Sequence, residues 1–368
     1  MLATKAKVRS VSSLDPHMPR IFLCKLLFAA SRDPDPRLFD LSFDEFQSMR
    51  TLAESHHVIV RCMESLRGIV AATGDNNDRY EWAVDALEQE RARIQLATSF
   101  LDEIVQVLAQ ESCAAIVIKS LDHWPDFGSD LDLYTDTPPQ HVIGVMKKKF
   151  KAGLAKRSWG DRLANKWNFV VPGLPELVEI HVGRLGQTGE LEGFAASLVS
   201  RARMVKIGNH EFRVPTPVHR LMICVLQRMY RHFYIRLCDI ADTIDLVENQ
   251  QFDFHDLEFQ SRMSGIWEGV ATFLAIVSDC TARWRDLGLD LPHSVWSAAK
   301  FGGDRIRFAR GFLRIPILPQ CARLYAMEWG NLIWKGQLRS ATRLCLLPCL
   351  ATLASVQQKI TGSAKGIW

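Results

Sequence analysis

The stretch that most restricts what this chain can become is Ala115–Tyr134, AIVIKSLDHWPDFGSDLDLY. The apolar run Ala115–Ile118 reads as a buried strand. Lys119-Ser120 follows it, and a turn-rich segment holding Pro125 and Gly128 leads to Ser129-Asp130-Leu131-Asp132-Leu133. On a strand, successive side chains alternate faces. Asp130 and Asp132 therefore project from one face while Leu131 and Leu133 enter a core on the other. Two carboxylates so close repel, and a sheet shaped by stability alone avoids the pairing. Two readings follow: an edge strand with both aspartates in water, or a pair that holds a divalent cation such as Mg²⁺ together with substrate phosphates and water.

Further on, Lys166–Val171 and Leu177–Val182 read as two strands of a hairpin around Pro172-Gly173-Leu174-Pro175. In the second strand Glu179 and His181 alternate with Val178, Ile180 and Val182, so both share one face. A histidine in that position is either solvated, in contact with substrate, or orienting a carboxylate.

Lys119–Leu133 taken with Glu179-Ile180-His181 resembles the nucleotidyltransferases of the DNA polymerase beta type. Their pattern is a strand, a short Gly/Ser turn, a linker, then D-h-[DE]-h, with a third carboxylate on the neighbouring strand. Here Ile118-Lys119-Ser120 stands at the turn, nine residues intervene, and Asp130-Leu131-Asp132-Leu133 fills the carboxylate strand. The chain looks most like the bacterial group written L-K-G … G-D-[IL]-D-L, with D-[LI]-H later. That group also has a Pro-x-x-x-Leu helix, matched by Pro217 and Leu221, and a helix with R-L-x-D, matched by Arg236-Leu237-Cys238-Asp239. The resemblance covers roughly residues 80–290.

The resemblance implies an α+β fold, with a small mixed β-sheet core flanked by N-terminal helices and a C-terminal helical domain. It implies Mg²⁺-dependent transfer of an NMP from an NTP to a hydroxyl-type acceptor, a small molecule or metabolite. The alternatives are a toxin-like transferase that modifies RNA or protein, and an inactive nucleotide- or partner-binding scaffold. In the two-metal scheme Asp130, Asp132 and Glu179 are catalytic residues and metal ligands, with Glu179 alternatively the base that activates the acceptor. Lys119 and Ser120 lie near the triphosphate, Gly128 and Ser129 shape the start of the carboxylate strand, and His181 and Arg236 are substrate-contact candidates. Arg236 and Asp239, three apart on one helical face, can also pair structurally. Three residues depart from the pattern: Ser120 replaces a glycine, Asp126 stands where relatives often carry arginine, and Glu179 replaces an aspartate.

The remainder of the chain sets the frame. At 368 residues, with 48% hydrophobic and 23% charged, it is long enough for two modest domains or one core with helical additions. We divide it into an N-terminal arm and helices (1–79), the nucleotidyltransferase-like core (80–215), a helical domain (216–299) and a basic, apolar-rich helical tail (300–368). The arm, 1–40, is weakly patterned. Helical periodicity spans Phe43 to about Val70 and again Tyr80 to about Gln110. The net charge of +4 hides an asymmetry, because the tail holds eleven Lys/Arg against Asp304 and Glu328. Such a tail suggests an anionic partner, RNA or a membrane surface, or else a helical face with solvated arginines. Nine scattered cysteines show no zinc-ligand spacing and read as buried thiols in a reducing compartment. With no convincing signal peptide, the expected location is cytoplasmic, with peripheral membrane association left open by the tail. There is no P-loop, G-x-G-x-x-G or G-x-S-x-G, and no internal repeat.

Overall fold

The carboxylate strand takes the second position in a five-stranded sheet. The computed structural model describes residues 18–29, 35–72, 78–249 and 252–348. The sheet runs in the order β1-β2-β5-β4-β3, from β1 (Ile116–Val117), β2 (Asp130–Thr135), β3 (Gly153–Leu154), β4 (Lys166–Val170) and β5 (Leu177–Val182). β2 and β5 are parallel and the other neighbours antiparallel. Asp132 lies in register with Glu179, and Tyr134 with His181. Across the hairpin, Lys166 faces His181 and Asn168 faces Glu179. Paired residues share a face, so Asp130, Asp132, Lys166, Asn168, Glu179 and His181 form a polar face. Leu131, Leu133, Phe169, Val178 and Ile180 occupy the other face and are fully buried.

Helices surround this sheet, and the class is α+β. The helix Asp78–Gln110 buries Ala83, Leu87, Ile94, Leu101, Ile104 and Leu108 at helical spacing and delivers the chain to β1. Leu96, in its apolar pattern, faces solvent. The C-terminal body centres on Trp267–Arg285, buried nearly all round and packed against Met18–Phe28, Pro217–Val225 and Leu237–Asn249. At Gly269 a Cβ would collide with the Tyr230 ring, so only glycine permits that approach. A hairpin, β6 (Arg203–Ile207) with β7 (His210–Val214), turns at Gly208-Asn209 as its sequence predicts.

Three expectations need correction. Residues 18–28 are not an arm but a core helix that buries Phe22, Leu23, Cys24, Leu26 and Phe28; its brevity and the flanking prolines disguise it. The periodic segment from Phe43 is two helices, Phe43–Ser55 and Ile59–Ala72, broken at His57 with φ +52°. The first is started by a capping box between Ser42 and Glu45. The basic tail is not helical throughout. It opens with a hairpin, β9 (Arg307–Ala309) and β10 (Phe312–Arg314), whose turn residues Arg310 and Gly311 both have positive φ. β10 also pairs with β8 (Tyr234–Ile235), tying the tail to the body. Helix follows at Ala322–Trp334 and over 338–348; the remainder of the expected last helix lies outside the described residues. Among the described residues no helix is long and apolar enough to cross a membrane.

His56, at the break between the two N-terminal helices, joins three segments. Its Nδ1 accepts from the Leu237 amide at 3.0 Å and its Nε2 donates to the Gly311 carbonyl at 2.8 Å. The bond accepted at Nδ1 requires the neutral imidazole, and burial lowers its pKa from 6.5 to about 4. The unfolded chain therefore takes up this proton at higher pH than the folded one. The stabilisation is full above pH 6.5 and is lost as the pH falls through about 4, by an amount on the order of 3 kcal/mol. Denaturant unfolding across this range, compared with His56→Gln, checks it: the variant should show about one proton less of pH dependence.

Candidate active site

The polar face of the sheet gathers a compact ionic cluster. One donor atom each from Asp132, Glu179 and His181 lies within 4.8 Å of the others. His181 Nε2 sits 2.9 Å from Glu179 Oε1 and 3.9 Å from Asp132 Oδ1. The Lys119 ammonium is inserted between the carboxylates, in direct contact with Asp132 and 3.2 Å from Glu179 Oε1. Lys166 Nζ lies 2.7 Å from Glu179 Oε2 and 3.2 Å from Asp161 Oδ1. All the members are largely removed from solvent, which strengthens each charge interaction.

Burial would raise the pKa of Glu179, but Lys119 and Lys166 outweigh it and hold the carboxylate well below its ordinary range. Burial likewise drives Asp132 upward, opposed by Lys119 and reinforced by Glu179. Within the pair, Glu179 carries the charge and Asp132 takes a proton more readily. Burial lowers His181 from 6.5 to about 4, so its imidazole is neutral and acts as a positioning group for Glu179. Asp130, raised by burial and then by Glu179, stays outside the triad with Ser129 Oγ 3.5 Å away.

The expected phosphate-binding turn has a different job for each residue. Lys119 has φ +65°, the left-handed conformation that glycine tolerates best, so the strained position is Lys119 and not Ser120. The buried Ser120 hydroxyl accepts from the Asp132 amide at 2.7 Å and donates to the Asp130 carbonyl at 3.1 Å. It is a staple on the carboxylate strand, and its proton is committed there. Ser120→Ala should cost about 1–3 kcal/mol, the usual penalty for unsatisfied buried groups; equilibrium unfolding checks it, and an unchanged midpoint rules the staple out. Gly128 has no steric need for glycine, since an added Cβ would meet the Asp130 carbonyl only at 3.7 Å.

The loop between β1 and β2 is clamped from several sides. Asp126 does not face the cluster. It accepts from the Val60 and Arg61 amides at 2.6 and 3.4 Å, at the start of the helix Ile59–Ala72. Arg93, from the long helix, donates to the Phe127 and Gly128 carbonyls. Asp122 pairs with Arg220 at 2.7 Å, and His123 with Asp242 at 2.5 Å. Arg236 lies away from the triad: it precedes the helix Leu237–Asn249, its amide donates to Asp239 Oδ2, and its guanidinium contacts His57. The expected Arg236–Asp239 side-chain pair is replaced by Arg228–Asp239 at 2.7 Å.

Sequence reasoning missed Lys166, Asp161, Arg93 and Arg228. For Lys166 a signal existed, because the hairpin register places it on the same face as His181. Beside the cluster a small pocket is lined by Lys119, Asp122, His123, Arg220, Arg228 and Asp239, among others.

No protein-family model matches this chain, and no curated protein matches it. Among solved structures it is similar to an antigenic nucleotidyltransferase-like protein from Paracoccidioides brasiliensis, at 13% identity and a TM-score of 0.31, over 46% of this chain and 87% of that one. A likeness of that degree establishes neither a common fold nor a common activity.

Proposed function

We propose that the chain is a divalent-cation-dependent nucleotidyltransferase that moves an NMP from an NTP to a hydroxyl-type acceptor, a small molecule or metabolite. The observation that carries this reading is the convergence of Asp132, Glu179 and His181 on neighbouring strands, beside a pocket lined by Lys119, Arg220 and Arg228. Asp132 and Glu179 would hold one Mg²⁺, and Asp130 with Asp132 the second. The donors fit: carboxylate oxygens suit Mg²⁺. A bound cation would displace the proton that Asp132 otherwise takes readily, and Asp130, Asp132, Asp161 and Glu179 ionised against Lys119 and Lys166 would give the cluster a formal −2 to meet it. When bound, Mg²⁺ supplies Lewis-acid stabilisation of the attacking and leaving oxygens.

The chain's own residues prepare the site. Glu179 is kept ionised by two ammonium groups, and His181 fixes its carboxylate. Ser120 holds the backbone of Asp130 and Asp132 in place. Lys119 also lines the pocket, so an ammonium displaced from Asp132 has an anionic triphosphate to meet there. In the transfer, the acceptor oxygen bonds to the α-phosphorus, the α–β bridging P–O bond breaks, pyrophosphate leaves and the acceptor proton passes to water. For the tail, exposed Trp334, Leu338 and Leu346, with Arg339 next to Leu338 in the chain, support contact with an anionic membrane surface.

A second reading is favoured by Lys119 itself. An ammonium seated on Asp132 can stand in permanently for a metal, which makes the fold an inactive nucleotide- or partner-binding scaffold. Calorimetry of each NTP with and without Mg²⁺, on the wild type and on Asp130→Asn/Asp132→Asn, separates them. Binding that needs both metal and carboxylates supports the transferase. Metal-independent binding favours the scaffold, and no binding at all removes both nucleotide readings.

A further inference from the structure

A second cluster of metal-ligand side chains lies at the pocket that Lys119 also lines, on residues the nucleotidyltransferase reading does not use as ligands. His123, Cys238 and Asp239 each present a donor atom within 4.8 Å of the others. His123 Nε2 is 3.8 Å from Cys238 Sγ, and Cys238 Sγ is 3.9 Å from Asp239 Oδ1. Cys224 Sγ approaches the same Asp239 oxygen at 3.7 Å from the neighbouring helix. Around a tetrahedral zinc ion, with Zn–S near 2.3 Å and Zn–N or Zn–O near 2.0–2.2 Å, ligand atoms stand about 3.5–3.8 Å apart. The His123–Cys238 and Cys238–Asp239 separations fall at or just beyond those edges, and all three donors lie within 4.8 Å of one another.

The surroundings hold the donors in the poses a metal requires. His123 Nδ1 is bound by Asp242 Oδ2 at 2.5 Å, leaving Nε2 turned toward Cys238. A carboxylate on the far nitrogen is the usual way a ligating histidine is oriented. Asp242 is itself held by Arg61 at 2.6 Å. Asp239 divides its oxygens: Oδ2 takes Arg228 and the Arg236 amide, while Oδ1 faces the two thiols. Arg228 and Asp239 are both almost fully buried.

We propose that His123, Cys238 and Asp239 form a three-residue binding site for a thiophilic divalent cation, Zn²⁺ above all, with the fourth position left to water. Binding replaces the proton of the ligating thiol by a metal–sulfur bond, and that proton passes to solvent. The ion joins the loop that carries Lys119 and Ser120 to the helix Leu237–Asn249, so its role is to fix that loop. A thiolate and an imidazole select zinc over magnesium, which separates this site from the carboxylate cluster.

The test uses the full chain carrying Cys345→Ser, since Cys345 is an exposed thiol. The protein is stripped with a chelator and titrated with Co²⁺ alone, then with Zn²⁺. We expect one equivalent of Co²⁺ with thiolate charge-transfer bands, bleached by Zn²⁺. Asp242→Asn should weaken Zn²⁺ binding about 10–100-fold, and Cys238→Ser should remove the thiolate bands. Absence of those bands in the stripped parent protein, or their survival unchanged in Cys238→Ser, overturns the site. If Cys238→Ser does not fold, alkylation mapping of the parent protein decides: Zn²⁺ must protect Cys238 while leaving Cys280 and Cys321 unaffected, and equal rates with and without Zn²⁺ refute the proposal.

Discussion

On the nucleotidyltransferase reading proposed above, Glu179→Gln is expected to reduce transfer by about 10²–10³-fold, the loss that follows removal of one preorganised electrostatic contact from an active site. The side chain is the hub of the cluster, 3.2 Å from Lys119, 2.7 Å from Lys166 and 2.9 Å from His181. An amide keeps the shape and removes the charge, so a cation loses a ligand and two buried ammonium groups lose their shared counter-ion. The variant should therefore also lose about 3–5 kcal/mol of stability, the penalty for breaking a buried ion pair on one side. Glu179→Asp keeps the charge one methylene shorter and should retain most of that stability and part of the activity. Asp130→Asn gives the complementary result, because Asp130 stays outside the triad: activity falls while the unfolding midpoint moves little. Single-turnover transfer from a labelled NTP and denaturant unfolding of the same preparations check both axes. Full activity in a folded Glu179→Gln would remove Glu179 from the mechanism.

What the sequence disclosed and what it concealed divide along a physical line. Period-2 alternation placed Asp130 and Asp132 on one face and Glu179 and His181 on another strand's polar face, because strand geometry is local. That β2 and β5 are neighbours in parallel register, with Asp132 opposite Glu179, is long-range pairing that the residues alone did not contain. Lys119 was visible as a residue of the turn, yet its seat between two carboxylates depends on its positive φ and the fold of the loop. Ser120 looked like a lost glycine, and only the position of the Asp132 amide shows it to be a staple. Asp126 looked like a charge misplaced at the triphosphate, whereas it serves a helix whose position 66 residues earlier gives no local signal. His123 and Cys238 are 115 residues apart, so no spacing rule could join them. The hairpin at Arg310-Gly311 was legible in principle, since a glycine between two alternating runs is a turn signal, but basic residues set among Ile and Phe also satisfy a helical face.

Arg228→Met is the second large effect, and it is read on stability. Arg228 Nε lies 2.7 Å from Asp239 Oδ2, with the side chains 4% and 1% exposed. Burial opposes the charged form of Asp239, and Arg228 is the strongest of the influences that hold the carboxylate ionised. Without the guanidinium, Asp239 keeps the Arg236 amide but becomes a buried charge lacking its main counter-ion. The expected loss is about 3–5 kcal/mol. The pair as a whole contributes far less than that, because desolvating both ions costs nearly what their attraction returns. Arg228→Met/Asp239→Leu, measured in metal-free protein, should therefore recover most of the loss, giving an interaction energy of at least about 2 kcal/mol in a double-mutant cycle. Denaturant unfolding of the four proteins checks this. A double variant no more stable than Arg228→Met would mean that Asp239 is needed for its hydrogen bond to the Arg236 amide, the cap of the helix Leu237–Asn249, rather than for the ion pair.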